Sequence, residues 1–473
     1  MKRTIVFAGF FLLMAAAGAQ SPTVTLQDCI GTALKNNIQV KQGQLDVSTA
    51  ELNHRQARAN LLPSVNGTIS HGINQGRSID PFSNTYVNQN ISYANYGLGS
   101  DAVLFNGMNL RNTARQNAYA ADASRMDLQA LKDNLTLNVI FAYLQVLTNE
   151  DVMNLSADRA VVTRRQVERL EVLNRQGAIS PSQLYDLMGQ LKDDELAVAT
   201  SRNSLYSAKL QLTQLMNIPY DSSIRLARMG MEELLITPTG TSAEVYAKAL
   251  DQLAVVKSTK LRTQSAEAGL KAARGSLFPT LYAAGNLNTN YSSIASRDLI
   301  NKVQDVTTSA YVNVNGNKVP VITQQYGSEK IPYGNQLKNN IFSNVEVGLR
   351  IPLFNSFVSR NRIKQAEITV RTMELAEEGA QVQLRQDIEQ AHLNMTNTWE
   401  RYKLLKEQVA AFTTSFRAAE VRFNAGVGTS VDYLIAKNNL DRATANLVIA
   451  QYDYLLRKRV LDYYSGVGVE GGR

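Results

Sequence analysis

The chain has 473 residues, enough for a large core or several domains. Its net charge of +8 is dispersed along helical stretches among acids rather than clustered with aromatics, a pattern that argues against nucleic-acid binding. One cysteine excludes an intrachain disulfide, and His54, His71 and His392 share no metal-ligand spacing.

The chain opens with a charged Lys2-Arg3 pair, an apolar run from Ile5 to Ala17, and Ala17-Gly18-Ala19. These read as an export signal over residues 1–19, cleaved before Gln20. Losing Lys2 and Arg3 leaves 8 − 2 = +6 on the mature chain. Cys29 lies too far past the cleavage point to carry a lipid, and reads as a small apolar residue on a helix face. No other run of about 18 apolar residues follows, so membrane-spanning helices are not expected.

An internal repeat organises the rest. Ala57-Arg58-Ala59-Asn60-Leu61-Leu62-Pro63 matches Ala273-Arg274-Gly275-Ser276-Leu277-Phe278-Pro279 at an offset of 216. Leu104-Phe105-Asn106 and Arg111-Asn112 match Leu353-Phe354-Asn355 and Arg360-Asn361 at 249, as Gly177 matches Gly426. The change, 249 − 216 = 33, places one insertion between the matched blocks of the second copy. The expected copies are residues 20–235 and 236–473, each running helix, strand, strand, long helix, turn, helix.

In each copy a first helix is expected, over 25–61 and 241–277. The former opens on Thr25 and Asp28 spaced as a capping pair, and Pro63 and Pro279 follow the helix ends. Period-two alternation comes next. Ile341, Val345, Val347, Leu349, Ile351 and Leu353 face one way; Asn344, Glu346, Gly348 and Arg350 face the other. In the first copy Tyr96, Leu98, Ala102 and Leu104 oppose Asn95 and Asp101. Val65 and Ile69, and Leu281 and Leu287, continue it more weakly. About ten residues, apolar on one side and polar on the other, is the requirement of a transmembrane β-strand. Tyr93, Tyr96, Phe105, Tyr282, Tyr291, Phe342 and Phe354 in or beside the strands suit aromatic girdles as a group, with some members facing inward.

Residues 108–176 contain neither glycine nor proline, and 356–425 only Gly379, so each predicts a helix of about 100 Å. Leu440, Leu447, Tyr454 and Leu461 recur at seven, as in a coiled coil. The fold class is therefore mainly α with a membrane β-barrel: coiled-coil-like α-barrel helices plus four transmembrane strands per chain. Four strands cannot close in lipid, since their edges would lack partners. Two copies would give an eight-stranded barrel filled by its own side chains, and three give twelve strands around an aqueous passage. A trimer follows, with external loops near 74–90 and 288–340, the latter holding a hairpin at Asn315-Gly316.

The order of elements resembles the outer membrane efflux protein family, the TolC-like channels. So do Thr25-Leu26-Gln27-Asp28 with Ala33-Leu34 and Asn36-Asn37, Leu62-Pro63 and Phe278-Pro279 before strands, and Leu212 to Pro219. The turns Gly177-Ala178-Ile179-Ser180 and Gly426-Val427-Gly428-Thr429 match the family's periplasmic helix-tip signature. The resemblance implies a passive, cofactor-free homotrimeric duct set in outer membrane lipid. An inner-membrane pump or ATP-driven exporter would supply energy for efflux or protein secretion, and a periplasmic adaptor would dock on the tips.

At the tips, Gly177 and Gly426 suit left-handed helix ends. Ser180 can cap a return helix with Pro181 first and Gln183 at the capping-box position, and Thr429 and Asp432 repeat the arrangement. All of this is sufficient to make a helical hairpin with no further function. Asp432 has two readings: an acidic ring at the mouth of the duct, or a favourable charge in a first helical turn. An enzyme is disfavoured for want of a nucleophile elbow, phosphate loop or metal pair. A soluble periplasmic coiled-coil scaffold would explain the rods but not the four strands.

Overall fold

A computed structural model describes residues 23–80, 83–228 and 240–466. The export signal lies outside the described residues. None of the described helices is long and apolar enough to cross a membrane.

The expected first helix of each copy is two helices: α1 (Leu26–Asn36) and α2 (Ile38–Ala59), then α5 (Ser242–Gln252) and α6 (Ala254–Gly275). The breaks fall at Asn37 and Leu253, both extended and 216 residues apart. Asn37 restarts the chain as a helix by accepting the Val40 N–H through its side chain. Leu253 cannot do so, and is held by burial beside Val245 and Ala249. The Thr25–Asp28 pair forms the full capping box, as does Thr241 with Glu244.

The glycine-free stretches form α3 (Asn109–Arg175) and α8 (Val358–Asn424), each of 67 residues, with return helices α4 (Pro181–Leu215) and α9 (Ser430–Tyr464) of 35 each. Each long helix is entered through two successive left-handed residues, Gly107 and Met108 or Ser356 and Phe357. Asn106 and Asn355, just before them, accept the N–H groups of Leu110 and Ser359.

The chain divides into two compact units, and neither is one copy of the repeat. Among the described residues, the first combines 23–50, 120–228, 240–263 and 373–466; the second combines 51–80, 83–119 and 264–372. Each unit thus draws on both copies.

The first unit holds helical cores. One packs Cys29, Ala33 and Val40 against Leu135, Val139 and Leu212. Another packs Val245, Ala249 and Val256 against Leu384, Ile388 and Leu461. These sets correspond residue by residue at the two offsets, so fully buried Cys29 fills the place of Val245. That is the small apolar role its position suggested.

The second unit carries the sheet. Strands β1 (Ser64–Asn74), β4 (Ile91–Phe105), β5 (Thr280–Ser292) and β8 (Phe342–Arg350) lie in that order, every neighbour antiparallel. Register sets the faces, because residues directly opposite share one. Ile69, Tyr96 and Thr289 form one row, and Leu98, Leu287 and Ser343 another, on the apolar side. Asn66, Gly99, Asn286 and Asn344 form a row on the polar side, as do Ser64, Asp101, Ala284 and Glu346. Tyr93 and Tyr282 also lie on the polar side, their rings occupying the space above Gly72 and Gly348. Tyr96 and Tyr291 stay on the apolar side beside Tyr333.

The two segments expected to be external loops carry structure of their own. Residues 74–90 include a short pair, β2 (Arg77–Ile79) and β3 (Tyr86–Asn88). The long loop begins after Ser292, not at 288, because β5 stays paired with β4 as far as Tyr93. It contains the hairpin β6 (Ser296–Val314) and β7 (Asn317–Lys330), then α7 (Tyr333–Asn339). Asn315 and Gly316 both have positive φ, the turn their pairing predicts.

Candidate functional site: the helical tips

Both long helices end in the same way. Gly177 (φ 72°) lets its own N–H reach Asn174 O and the Ala178 N–H reach Leu173 O. Gly426 (φ 74°) does likewise, with its N–H on Phe423 O and that of Val427 on Arg422 O. These are Schellman motifs, which satisfy carbonyls the helix end would otherwise orphan. The return helices are then capped. Ser180 accepts the Ser182 N–H at 3.3 Å, so its bond falls one residue short of Gln183. Thr429 accepts the Asp432 N–H at 3.1 Å and donates its hydroxyl to the Asp432 carboxylate at 2.9 Å.

The eight turn residues divide by exposure. Gly177, Ala178, Ser180, Gly426, Val427 and Thr429 are exposed, Val427 to 71%. Ile179 is half-buried against a core of Leu170, Leu184, Leu187, Phe423 and Tyr433, and so serves the hairpin. Gly428 is half-buried and pressed against the end of α8, where a Cβ would lie 3.0 Å from the Phe423 nitrogen. Asp432 is exposed in the first turn of α9.

Side chains join the two turns. Ser430 donates to Asp186 at 2.9 Å, tying α9 to α4. Gln166 and Arg169 of α3 both reach Asn424 at the end of α8. The buried Tyr433 ring stacks on Phe423 at 4.9 Å, and burial pushes its hydroxyl pKa up to about 12.

Behind the tips lies a network that sequence reasoning missed. Lys437 of α9, its side chain 3% exposed, bonds Asp194 of α4 at 2.9 Å and Asp441 at 2.8 Å. Thr163 of α3 donates to Asp194 at 2.5 Å, and the Arg159 guanidinium pairs with Asp441 at 3.1 Å. Burial lowers the Arg159 pKa, while the carboxylates of Asp441 and Asp194 oppose that shift. Two cations and two carboxylates thus neutralise one another where three helices meet. In sequence, Lys437 and Asp441 are only an i, i+4 pair, which ordinarily marks a solvated helix face.

Comparison with known proteins agrees with this architecture. Residues 29–217 and 245–467 match the outer membrane efflux protein family. The outer membrane protein TolC of Vibrio cholerae is 23% identical over 407 residues, covering 85% of this chain and 81% of that protein. The outer membrane efflux protein BepC of Brucella suis is 21% identical over 482 residues, covering 97% and 91%. Among solved structures, the outer membrane protein VceC of Vibrio cholerae superposes with a TM-score of 0.74 at 16% identity, covering 94% of this chain and 97% of that one. The Neisseria gonorrhoeae MtrE outer membrane channel gives 0.71 at 18%, covering 95% and 91%.

Proposed function

The chain belongs to the outer membrane efflux protein family and is an outer membrane duct, and from that premise we propose that three copies close one barrel through which a pump's cargo leaves the cell. The sheet carries this reading. It has four antiparallel strands, one apolar and one polar face, and two edges, β1 and β8, without a partner strand among the described residues. In a bilayer those edge N–H and C=O groups must be paired by another copy. Three copies of four strands supply twelve, wide enough for water, with the polar face inward.

Exposed apolar stripes on the helices support the same assembly. Ile38, Leu45 and Leu52 recur at seven along α2, and Ile368, Leu375 and Val382 recur at seven along α8. A stripe of that period is a coiled-coil seam awaiting a partner helix. The tips are the surface for a periplasmic adaptor: exposed, capped at both turns, cross-linked by Ser430–Asp186, and crowned by the apolar side chain of Val427. Asp432, repeated by threefold symmetry, contributes an acidic ring at the mouth.

Planar-bilayer conductance of the purified protein, with its oligomeric mass measured in parallel, tests this reading. A trimer with small, cation-preferring conductance that rises in Asp432→Ala is expected. A monomer that never inserts would overturn the barrel. A trimer whose conductance and ion preference ignore Asp432→Ala would leave that residue only its role in the first turn of α9. For the adaptor, Ala178→Asp with Val427→Asp should keep the conductance and abolish export in cells; unchanged export would remove the tips as the docking surface.

A further inference from the structure

The apolar face of the sheet is not evenly covered by large side chains. On it, β1 places Gly67 opposite Leu98, which in turn lies opposite Leu287 of β5. Two residues further along, Ile69 and Tyr96 share a row with the short side chain of Thr289. An open groove of about 400 Å³ results, with Gly67, Ile69, Tyr96, Leu98, Leu287 and Ile341 in its lining. The missing side chain at Gly67 is part of its cause, since a Cβ there would meet nothing within 4 Å.

One end of the groove adjoins α7, which is pinned to β5. Thr289, in the groove wall, donates its hydroxyl to Leu337 O at 2.7 Å. The Tyr96 and Tyr333 hydroxyls share a hydrogen bond of 2.6 Å, and the Tyr333 ring packs on Tyr291 with centroids 4.4 Å apart. Buried Gln336 accepts the Ser292 N–H at 2.9 Å and donates to Ser292 O at 3.0 Å. The residue after Leu337 is Lys338, exposed in the last turn of α7 and three positions before Ile341. It has no ion-pair partner among the described residues.

A smooth apolar face touches lipid tails without selecting any. A recess with a cation at one end selects a chain that is joined to an anion, and a compact ammonium suits a phosphate. The leaflet follows from the topology. Helix α7 stands at the strand ends opposite those that lead into α3 and α8, so it lies on the side away from the periplasmic helices. Tyr96, Tyr291 and Tyr333 gather there, where rings with one apolar body and one wet end belong.

We propose that this groove binds lipopolysaccharide, the phosphorylated lipid of the outer leaflet, with one acyl chain along Leu98 and Leu287 and a lipid A phosphate on Lys338. This inference rests on the barrel proposed above, which turns the apolar face outward, and adds a specific lipid to that face. The site is complete within one chain, since β1, β4, β5 and α7 supply every group it uses.

Native mass spectrometry of the delipidated, detergent-solubilised protein, titrated with bis-phosphorylated lipid A, tests the site and reads oligomeric mass in the same spectrum. Saturable binding of one lipid A per chain is expected. Gly67→Phe fills the groove from its floor, and displacing even two methylenes of the chain should weaken binding about tenfold. Lys338→Gln should weaken it about fivefold, the worth of one lysine at an anionic membrane surface, while Lys338→Arg should not. Ala283→Phe adds the same ring to the same face outside the groove, and Lys302→Gln removes an exposed cation of β6; both should bind as the parent does. Parental binding by Gly67→Phe, or an equal loss in Ala283→Phe, overturns the groove. Parental binding by Lys338→Gln overturns the phosphate contact, and equal affinity for phosphatidylglycerol overturns lipopolysaccharide as the occupant. Binding that still depends on Gly67 and Lys338 in a protein that is only monomeric would uphold the site and count against the assembly instead.

Discussion

The sheet and the region behind the tips are built on opposite plans. On the sheet, large apolar side chains point outward: Val345 is 82% exposed and Ile69 78%. Behind the tips the inward-facing groups include charges, with Lys437, Asp194, Arg159 and Asp441 locked among helices. Each plan would be wrong in the other's solvent. Exposed valines and isoleucines at period two are favourable only against hydrocarbon. A desolvated ion network persists only where every charge has its partner, and it serves geometric definition more than net stability. The comparison teaches that burial alone does not sort functional from structural residues here. The surrounding medium must be inferred first.

The comparison breaks most sharply at Lys437. Lys437→Ala leaves buried Asp194 and half-buried Asp441 without their shared cation, an expected loss of about 3–5 kcal/mol in chemical denaturation. Lys437→Met combined with Asp194→Leu removes the charge pair and keeps volume, and should recover most of that loss. A Lys437→Ala protein within about 0.5 kcal/mol of the parent would mean that water reaches the network. On the sheet, Val347→Arg should cost about 2–4 kcal/mol if its face meets the middle of the bilayer. Asn344→Arg, on the polar face of the same strand, should insert as the parent does. The yield of membrane-embedded trimer reads both, and equal yields would show that the two faces meet the same solvent.

These regions were unequally legible in the sequence. The absence of glycine and proline over 108–176 located α3 to within a residue at either end, because little but a helix accommodates so long an uninterrupted stretch. Alternation from Ile341 onward identified β8 and its faces, and the cleanest signal belonged to a strand whose apolar face is exposed in the single chain. The tip glycines were readable because a left-handed helix end has a narrow residue preference. The long β6–β7 hairpin was legible only at its turn. Irregularities between Leu299 and Val303, and between Thr307 and Tyr311, break the period of two that would have marked its strands. The breaks at Asn37 and Leu253 were hidden because one is a side-chain cap and the other a packing effect. Lys437 was hidden for a different reason: its buried partner Asp194 lies 243 residues away on another helix, and local spacing carries no trace of it.

The smallest expected effect concerns Gly177 and Gly426, and it bears most directly on function. A Cβ at either position meets nothing within 4 Å, so substitution there costs only backbone strain, roughly 1–2 kcal/mol for a left-handed residue. Valine at both positions should leave the trimer in the membrane yet redirect the chain as it leaves α3 and α8. Export in cells should then fall while trimer yield stays near that of the parent. Asparagine, which tolerates the left-handed region, should retain export at both positions. Loss of the trimer with valine would show that the turns serve folding alone. Normal export with valine would show that no partner reads the shape of the turns, and would leave the tip's exposed side chains as the surface an adaptor recognises.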